Sequence, residues 1–135
     1  MLDSDKNLSK FLLFDITSLL YNNPNNLLYN FTNLAEKIMD KLIENVRVWA
    51  DQKNLLKKEN SKAQMLKVLE EIGETAGALL KKNNKELIDG LGDSFVTLII
   101  LCYQLDLEPK DCLQAAWNEI KNRKGKTVNG TFIRD

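Results

Sequence analysis

Two short stretches, VLEEIGE at residues 68–74 and ELIDGLGD at residues 86–93, set carboxylates and glycines among apolar residues in segments that otherwise read as helix. Residues three and four apart share a helix face. Glu71 and Glu74 are therefore neighbours, as are Glu70 and Glu74, and Glu86, Asp89 and Asp93 follow one another on the next helix. Like charges so placed repel by roughly 0.2–0.5 kcal/mol per pair. A hard divalent cation reverses the sign, because magnesium takes oxygen ligands and keeps waters that leave room for phosphates. The plain alternative is a solvated acidic face. Gly73, Gly77, Gly90 and Gly92 each cost about 1 kcal/mol against alanine inside a helix. They point to close helix contact or to access for a ligand.

Composition narrows the chemistry. The chain has 135 residues, 44% hydrophobic and 28% charged, which fits one globular domain with a core. Lysine plus arginine equals aspartate plus glutamate at 19 each, so the whole molecule exerts no general pull on nucleic acid or anionic membrane. With no histidine in the chain, histidine bases, Ser-His triads and histidine-bearing zinc sites are excluded. Cys102 and Cys112 lack a CxxC spacing and read as two buried free thiols, with a disulfide or metal role as the alternative. No run approaches the ~18 apolar residues of a membrane span, and MLDSDKN is not a signal-peptide start. A reducing cytoplasmic setting is the expectation.

The elements that must position the carboxylates follow from periodicity. An all-α fold is expected, since there are only two prolines and almost no period-two alternation. Leu8, Phe11, Leu12, Ile16, Leu19 and Leu20 mark a first helix, ended by YNNPNN. Phe31, Leu34, Ile38, Leu42, Val46 and Trp49 form the stripe of a second, and DQKNLLKKEN is a polar connection. Ser61 with Gln64 matches a capping box opening a third helix that runs to about Lys82 and buries Leu66, Leu69, Ile72, Ala76 and Leu80. Asn83 with Glu86 opens a fourth, with Leu87, Leu91, Phe95, Leu98, Ile99 and Cys102 inward. The third and fourth helices, joined by a short loop, should pair as an antiparallel hairpin. Pro109 suits the first turn of a fifth, which should end by Gly125, and the tail KTVNGTFIRD shows no period.

The residues carry a resemblance. LKVLEEIGETAGALL followed by LGDSFVTLIIL resembles the MazG-like all-α nucleoside triphosphate pyrophosphohydrolases, whose signature is EExxE, a spacer and ExxD; VRVWADQKNLL before and NEIKNRKGKTVNGTF after resemble small stand-alone members from phages and Gram-positive bacteria. The likeness covers roughly residues 45–133, with 1–44 as an added helical element. It implies a four-helix-bundle-like fold of antiparallel hairpins completed in a homodimer or homotetramer. It also implies hydrolysis of a nucleoside triphosphate to monophosphate and pyrophosphate with Mg2+ or Mn2+, and neither a membrane nor a nucleic-acid partner. Glu71, Glu74 and Asp93 would hold the metal, and Glu70 would orient or activate the water. The glutamate of ExxD is Gly90 here, so Asp89 or Glu86 must supply the missing carboxylate, or the chain is a catalytically impaired helical dimer used for binding or regulation. Asn118 and Lys121 share a face of the last helix, and Arg123 and Lys124 crowd its end. They either grip phosphates or complement the helix dipole. Trp49 either stacks on a base or packs in the core.

Overall fold

A computed structural model describes residues 27–135, with side chains from Thr32 onward. The expected first helix, the YNNPNN loop and the Phe31 side chain lie outside the described residues. Among those described the protein is helical: α1 (Leu27–Gln52), a 3-10 turn (Lys58–Asn60), α2 (Ser61–Leu80), α3 (Asn84–Gln104) and α4 (Pro109–Ile120), then strands β1 (Gly125–Val128) and β2 (Thr131–Arg134). Two compact units meet in sequence within α1, Met1–Asn45 and Val46–Asp135. The second unit holds both acidic stretches, on α2 and α3.

Helix ends are set by local chemistry. The Asn83 side chain caps α3 by accepting from the Glu86 amide at 3.3 Å. Pro109 stands in the first turn of α4, as its fixed φ favours. The capping box at Ser61 does not form: Asn60 is the N-cap, without a side-chain bond. Gln64 instead reaches across to donate to the Thr97 carbonyl at 3.0 Å. The C-termini of α1, α2 and α3 close alike. Asn54, Lys82 and Asp106 adopt φ of 57°, 56° and 58°, and the next residue's amide bonds back to Ala50, Ala78 and Cys102, at 2.9, 3.0 and 2.9 Å. That is the Schellman closure with a non-glycine residue at the left-handed position.

Helices α2 and α3 pack as the expected antiparallel hairpin, but through other faces than expected. Val68, Glu71 and Ala78 are the buried residues of α2, and Gly90, Thr97, Ile100 and Gln104 those of α3. The apolar residues expected inside are exposed: Leu66 at 68%, Leu80 at 84% and Phe95 at 67%, with Leu69, Ile72, Leu91 and Leu98 also open. Ala76 is exposed, and Leu87, Ile99 and Cys102 are only half-buried. On α1, Leu42 and Trp49 are exposed as well. Beside Val68 and Ile100 the seam takes in small and polar residues, and two features make these cheap to bury. Hydroxyls satisfy themselves on their own helix: Thr75 donates to the Glu71 carbonyl, Ser94 to Gly90 and Thr97 to Asp93, at 2.8, 2.8 and 2.9 Å. Gln104, 2% exposed, donates to the Leu55 carbonyl at 2.7 Å and ties the α1–α2 connection to the end of α3.

The second feature is closeness. A Cβ built on Gly90 would lie 2.6 Å from Thr75 Oγ1 and 3.2 Å from Thr75 Cα, so α3 has no room for a side chain against Thr75 there. The tail forms a second hairpin, antiparallel, with Val128 opposite Thr131. Its two-residue turn is Asn129-Gly130 at φ 49° and 77°, the pair of positive angles a type I′ turn requires. This corrects the reading of KTVNGTFIRD as aperiodic, while α4 ends at Ile120, within the limit expected at Gly125.

The contact at Gly90 predicts opposite outcomes for two neighbouring glycines. Gly90→Ala should destabilise the protein by about 1–3 kcal/mol, the usual range for overpacking. Gly92→Ala, where an added Cβ meets nothing within 4 Å, should stabilise it by up to about 1 kcal/mol. Urea midpoints of the two variants against the parent chain measure both.

Candidate functional site

The hairpin opens on one side into a cleft of about 540 Å³ lined by Glu70, Gly73, Glu74, Gly77, Ala78, Lys81, Glu86, Asp89, Gly90 and Asp93. It contains five carboxylates and one ammonium, drawn from both helices. Position explains the set. On α2 the residues next to the packed Glu71 and Ala78 are Glu70, Glu74 and Lys81, so they stand at the rim. On α3 the residues flanking the close contact at Gly90 are Glu86, Asp89 and Asp93. Gly73 and Gly77, whose added Cβ atoms would meet nothing, leave the wall of α2 bare of side chains.

The sequence-derived candidates divide accordingly. Glu70, Glu74, Asp89 and Asp93 share the cleft, together with Glu86. Glu71 does not line it: the residue is 5% exposed, on the packed side of α2. Its carboxylate accepts from Lys67 Nζ at 2.8 Å, and the same ammonium reaches Glu70 at 3.0 Å. Glu71 first, then Glu70, holds the Lys67 ammonium above the ordinary lysine value. Trp49, Asn118, Lys121, Arg123 and Lys124 lie outside the cleft and are exposed. Asn118 accepts from Gln114 and Lys121, at 3.2 and 3.0 Å, and Arg123 stands 3.8 Å from Glu119, so these groups are engaged along α4 itself. Lys81 was missed by the sequence reading; the signal was its place seven residues after Glu74, two helical turns along the same face.

The donor chemistry is uniform. Carboxylate oxygens with no thiol or imidazole suit magnesium or manganese over softer ions. Among the described residues no three acidic or cysteine side chains converge closely enough to hold an ion by themselves. A cation in this cleft would therefore be held partly through waters, as magnesium usually is. No helix among the described residues is long and apolar enough to cross a membrane.

Comparison with known proteins adds one sequence likeness. The chain is 33% identical over 66 residues to an uncharacterized 18.2 kDa protein from the rep-hol intergenic region of Haemophilus phage HP1 (strain HP1c1). The match takes in 49% of this chain and 40% of that protein, so the chain spans well under half of its relative. No family model matches the chain. No solved structure matches it either.

The geometry separates two glutamates that the sequence treats alike. Glu71→Gln should lower the urea midpoint, because it weakens a pair to a buried carboxylate. Glu74→Gln removes one of several like charges at an open rim and should leave the midpoint unchanged or raise it. Lys67→Met adds a pH test. Since the pair raises the folded-state pKa of Lys67, its contribution is fully present below the ordinary value of 10.5 and fades as the pH climbs through the raised one. The stability gap between Lys67→Met and the parent should thus stay flat from neutral pH to about 10 and narrow only beyond.

Proposed function

We propose that this chain is a MazG-like pyrophosphohydrolase that cleaves nucleoside triphosphates to monophosphate and pyrophosphate with Mg2+ or Mn2+, as a homodimer or homotetramer in the cytoplasm. The observation that carries the reading is the cleft in which Glu70, Glu74, Glu86, Asp89 and Asp93 from two antiparallel helices face Lys81.

Glu74, Asp89 and Asp93 would hold the ion; when bound it neutralises the phosphate chain. Asp89 replaces the carboxylate that Gly90 lacks. A glutamate at position 90 has no room in this hairpin, where even a Cβ meets the Thr75 backbone. Asp89, one position back, already stands in the wall. Glu70 would take the proton of the attacking water on a carboxylate oxygen, the chain having no histidine for that task. Lys67 Nζ, 3.0 Å from Glu70 Oε1, holds the side chain. Lys81 Nζ would donate to a phosphate oxygen, a charge-assisted bond. Glu71 acts one step removed, through Lys67 on Glu70. Assembly is supported by the apolar residues left outside, Leu66, Leu69 and Ile72 on α2 with Leu91, Phe95 and Leu98 on α3. Large apolar side chains left open on both helices favour association.

A binding or regulatory role without turnover is the second reading, and Gly90 at the ExxD position is the observation that favours it. Pyrophosphate release from a panel of ribo- and deoxyribonucleoside triphosphates with magnesium decides between them. The enzyme reading expects turnover with at least one nucleotide. It also expects kcat/KM to fall at least ~100-fold in Glu74→Gln and Asp93→Asn, more than a lost outer-shell contact costs. Asp89→Asn should weaken magnesium activation, and an unchanged metal requirement would remove Asp89 from the ligand set. No turnover, with thermal stabilisation by magnesium and a non-hydrolysable triphosphate, would leave the binding role.

A further inference from the structure

Charge is segregated along a chain whose total is zero. Residues 121–134 hold the cations Lys121, Arg123, Lys124, Lys126 and Arg134 and no carboxylate, so the remainder is acidic in balance. Every residue of that stretch is exposed. Arg123 stands 3.8 Å from Glu119, and Lys121 Nζ donates to the Asn118 side chain at 3.0 Å. Among the described residues no carboxylate pairs with Lys124, Lys126 or Arg134. The hairpin gives these cations a frame. Residues directly opposite in an antiparallel ladder share a face. Gly125 and Arg134 therefore stand with Thr127 and Phe132, while Lys126, Ile133, Val128 and Thr131 take the other face. On the first face the Phe132 ring lies across Gly125: a Cβ built there would stand 2.6 Å from Phe132 Cζ and 3.0 Å from Cε2. The ring is held against the strand by the gap that glycine leaves, yet Phe132 is 51% exposed. Arg134 follows it on the same face.

We propose that the β1–β2 hairpin and the end of α4 form a surface for single-stranded nucleic acid, with a base stacked on Phe132 and phosphates held by the surrounding lysines and arginines. The partner follows from the combination of groups. A run of cations without acids attracts a polyanion. An open ring among them selects a polyanion that has flat faces to stack, and every base has one. A duplex keeps those faces in its own stack. A second hairpin of this chain would bring like charges together, which disfavours a copy as the occupant. The neutral total and the family resemblance imply no nucleic-acid partner, but the local balance reverses that. At physiological salt a phosphate responds chiefly to charges within ~8 Å, and along this stretch they are positive.

The test is fluorescence anisotropy of a labelled oligothymidylate of about 20 nucleotides, longer than a typical single-strand site, titrated with the full chain. EDTA is present throughout, so that no divalent ion bridges the oligonucleotide to the acidic cleft. Binding is expected at low salt, and log K should fall against log salt with a slope of about −0.7 for each phosphate neutralised. Lys126→Gln and Arg134→Gln should each weaken binding and make that slope shallower by about 0.7. Phe132→Leu keeps an apolar side chain over Gly125 but removes the stacking face; it should weaken binding about tenfold with the slope unchanged, whereas Phe132→Tyr should retain it. Four results overturn the surface: no binding at low salt, equal affinity for a duplex of the same length, a slope that neither charge variant alters, or parental binding by Phe132→Leu. Capture by phosphatidylglycerol vesicles without oligonucleotide binding also overturns it, in favour of a membrane contact. The charge variants leave the backbone ladder alone, so they decide the matter even should Phe132→Leu lose the hairpin.

Discussion

The close contact between Gly90 and Thr75 sets how near α2 and α3 can pack. Gly90 presents no side chain, so the Oγ1, Cα and Cβ of Thr75 pack directly against it, and a Cβ added at position 90 would push the helices apart. Closeness lets α2 and α3 bury hydroxyls and amides in place of leucines, because the hydroxyls bond to their own helices and need no partner across the seam. It also sets the site. Residues flanking the contact on both helices emerge at a common rim, which is how Glu74 and Asp93, distant in sequence, line one cleft. Remove the glycine and the rim opens with the seam.

The seam also splits the acidic residues into two kinds. Glu71 is a packed group whose charge is balanced by Lys67, whereas Glu74, Glu86, Asp89 and Asp93 stand at a wall with Lys81 as the cation among the lining residues. Glu70 belongs to both, at the rim and on Lys67. A cation binding through Glu70 must compete with an ammonium already there, whereas one binding through Glu74, Asp89 and Asp93 need not.

Much of this was legible in the sequence, and the failures share a cause. The expected first helix lies outside the described residues. The helices that hold residues 31–49, 61–80, 84–104 and 109–120, the antiparallel hairpin, the Asn83 cap and the sharing of one cleft by Glu74, Asp89 and Asp93 follow from periodicity and spacing. Which face of the hairpin packs did not, because Leu66, Leu69 and Phe95 advertise burial and yet are exposed. Apolarity says that a surface seeks cover, not which element covers it. The closures at Asn54, Lys82 and Asp106 were hidden because the left-handed position was filled by residues other than glycine. The Asn129-Gly130 turn was readable, being a standard hairpin signal between TV and TF. Glu71 shows the limit of spacing arguments. A one-residue offset from Glu70, about 100° around the helix, separates the rim from the seam.

A hairpin seam of mixed polarity has a calorimetric signature. Exposing apolar surface on unfolding raises heat capacity and exposing polar surface lowers it. The buried Glu71, Thr97 and Gln104 therefore offset part of the increment that Val68, Ala78 and Ile100 contribute. The hairpin taken by itself would have a shallower stability curve than one packed through leucines. The steep, hydrophobic share of the temperature response would reside in whatever comes to cover Leu66, Leu80 and Phe95.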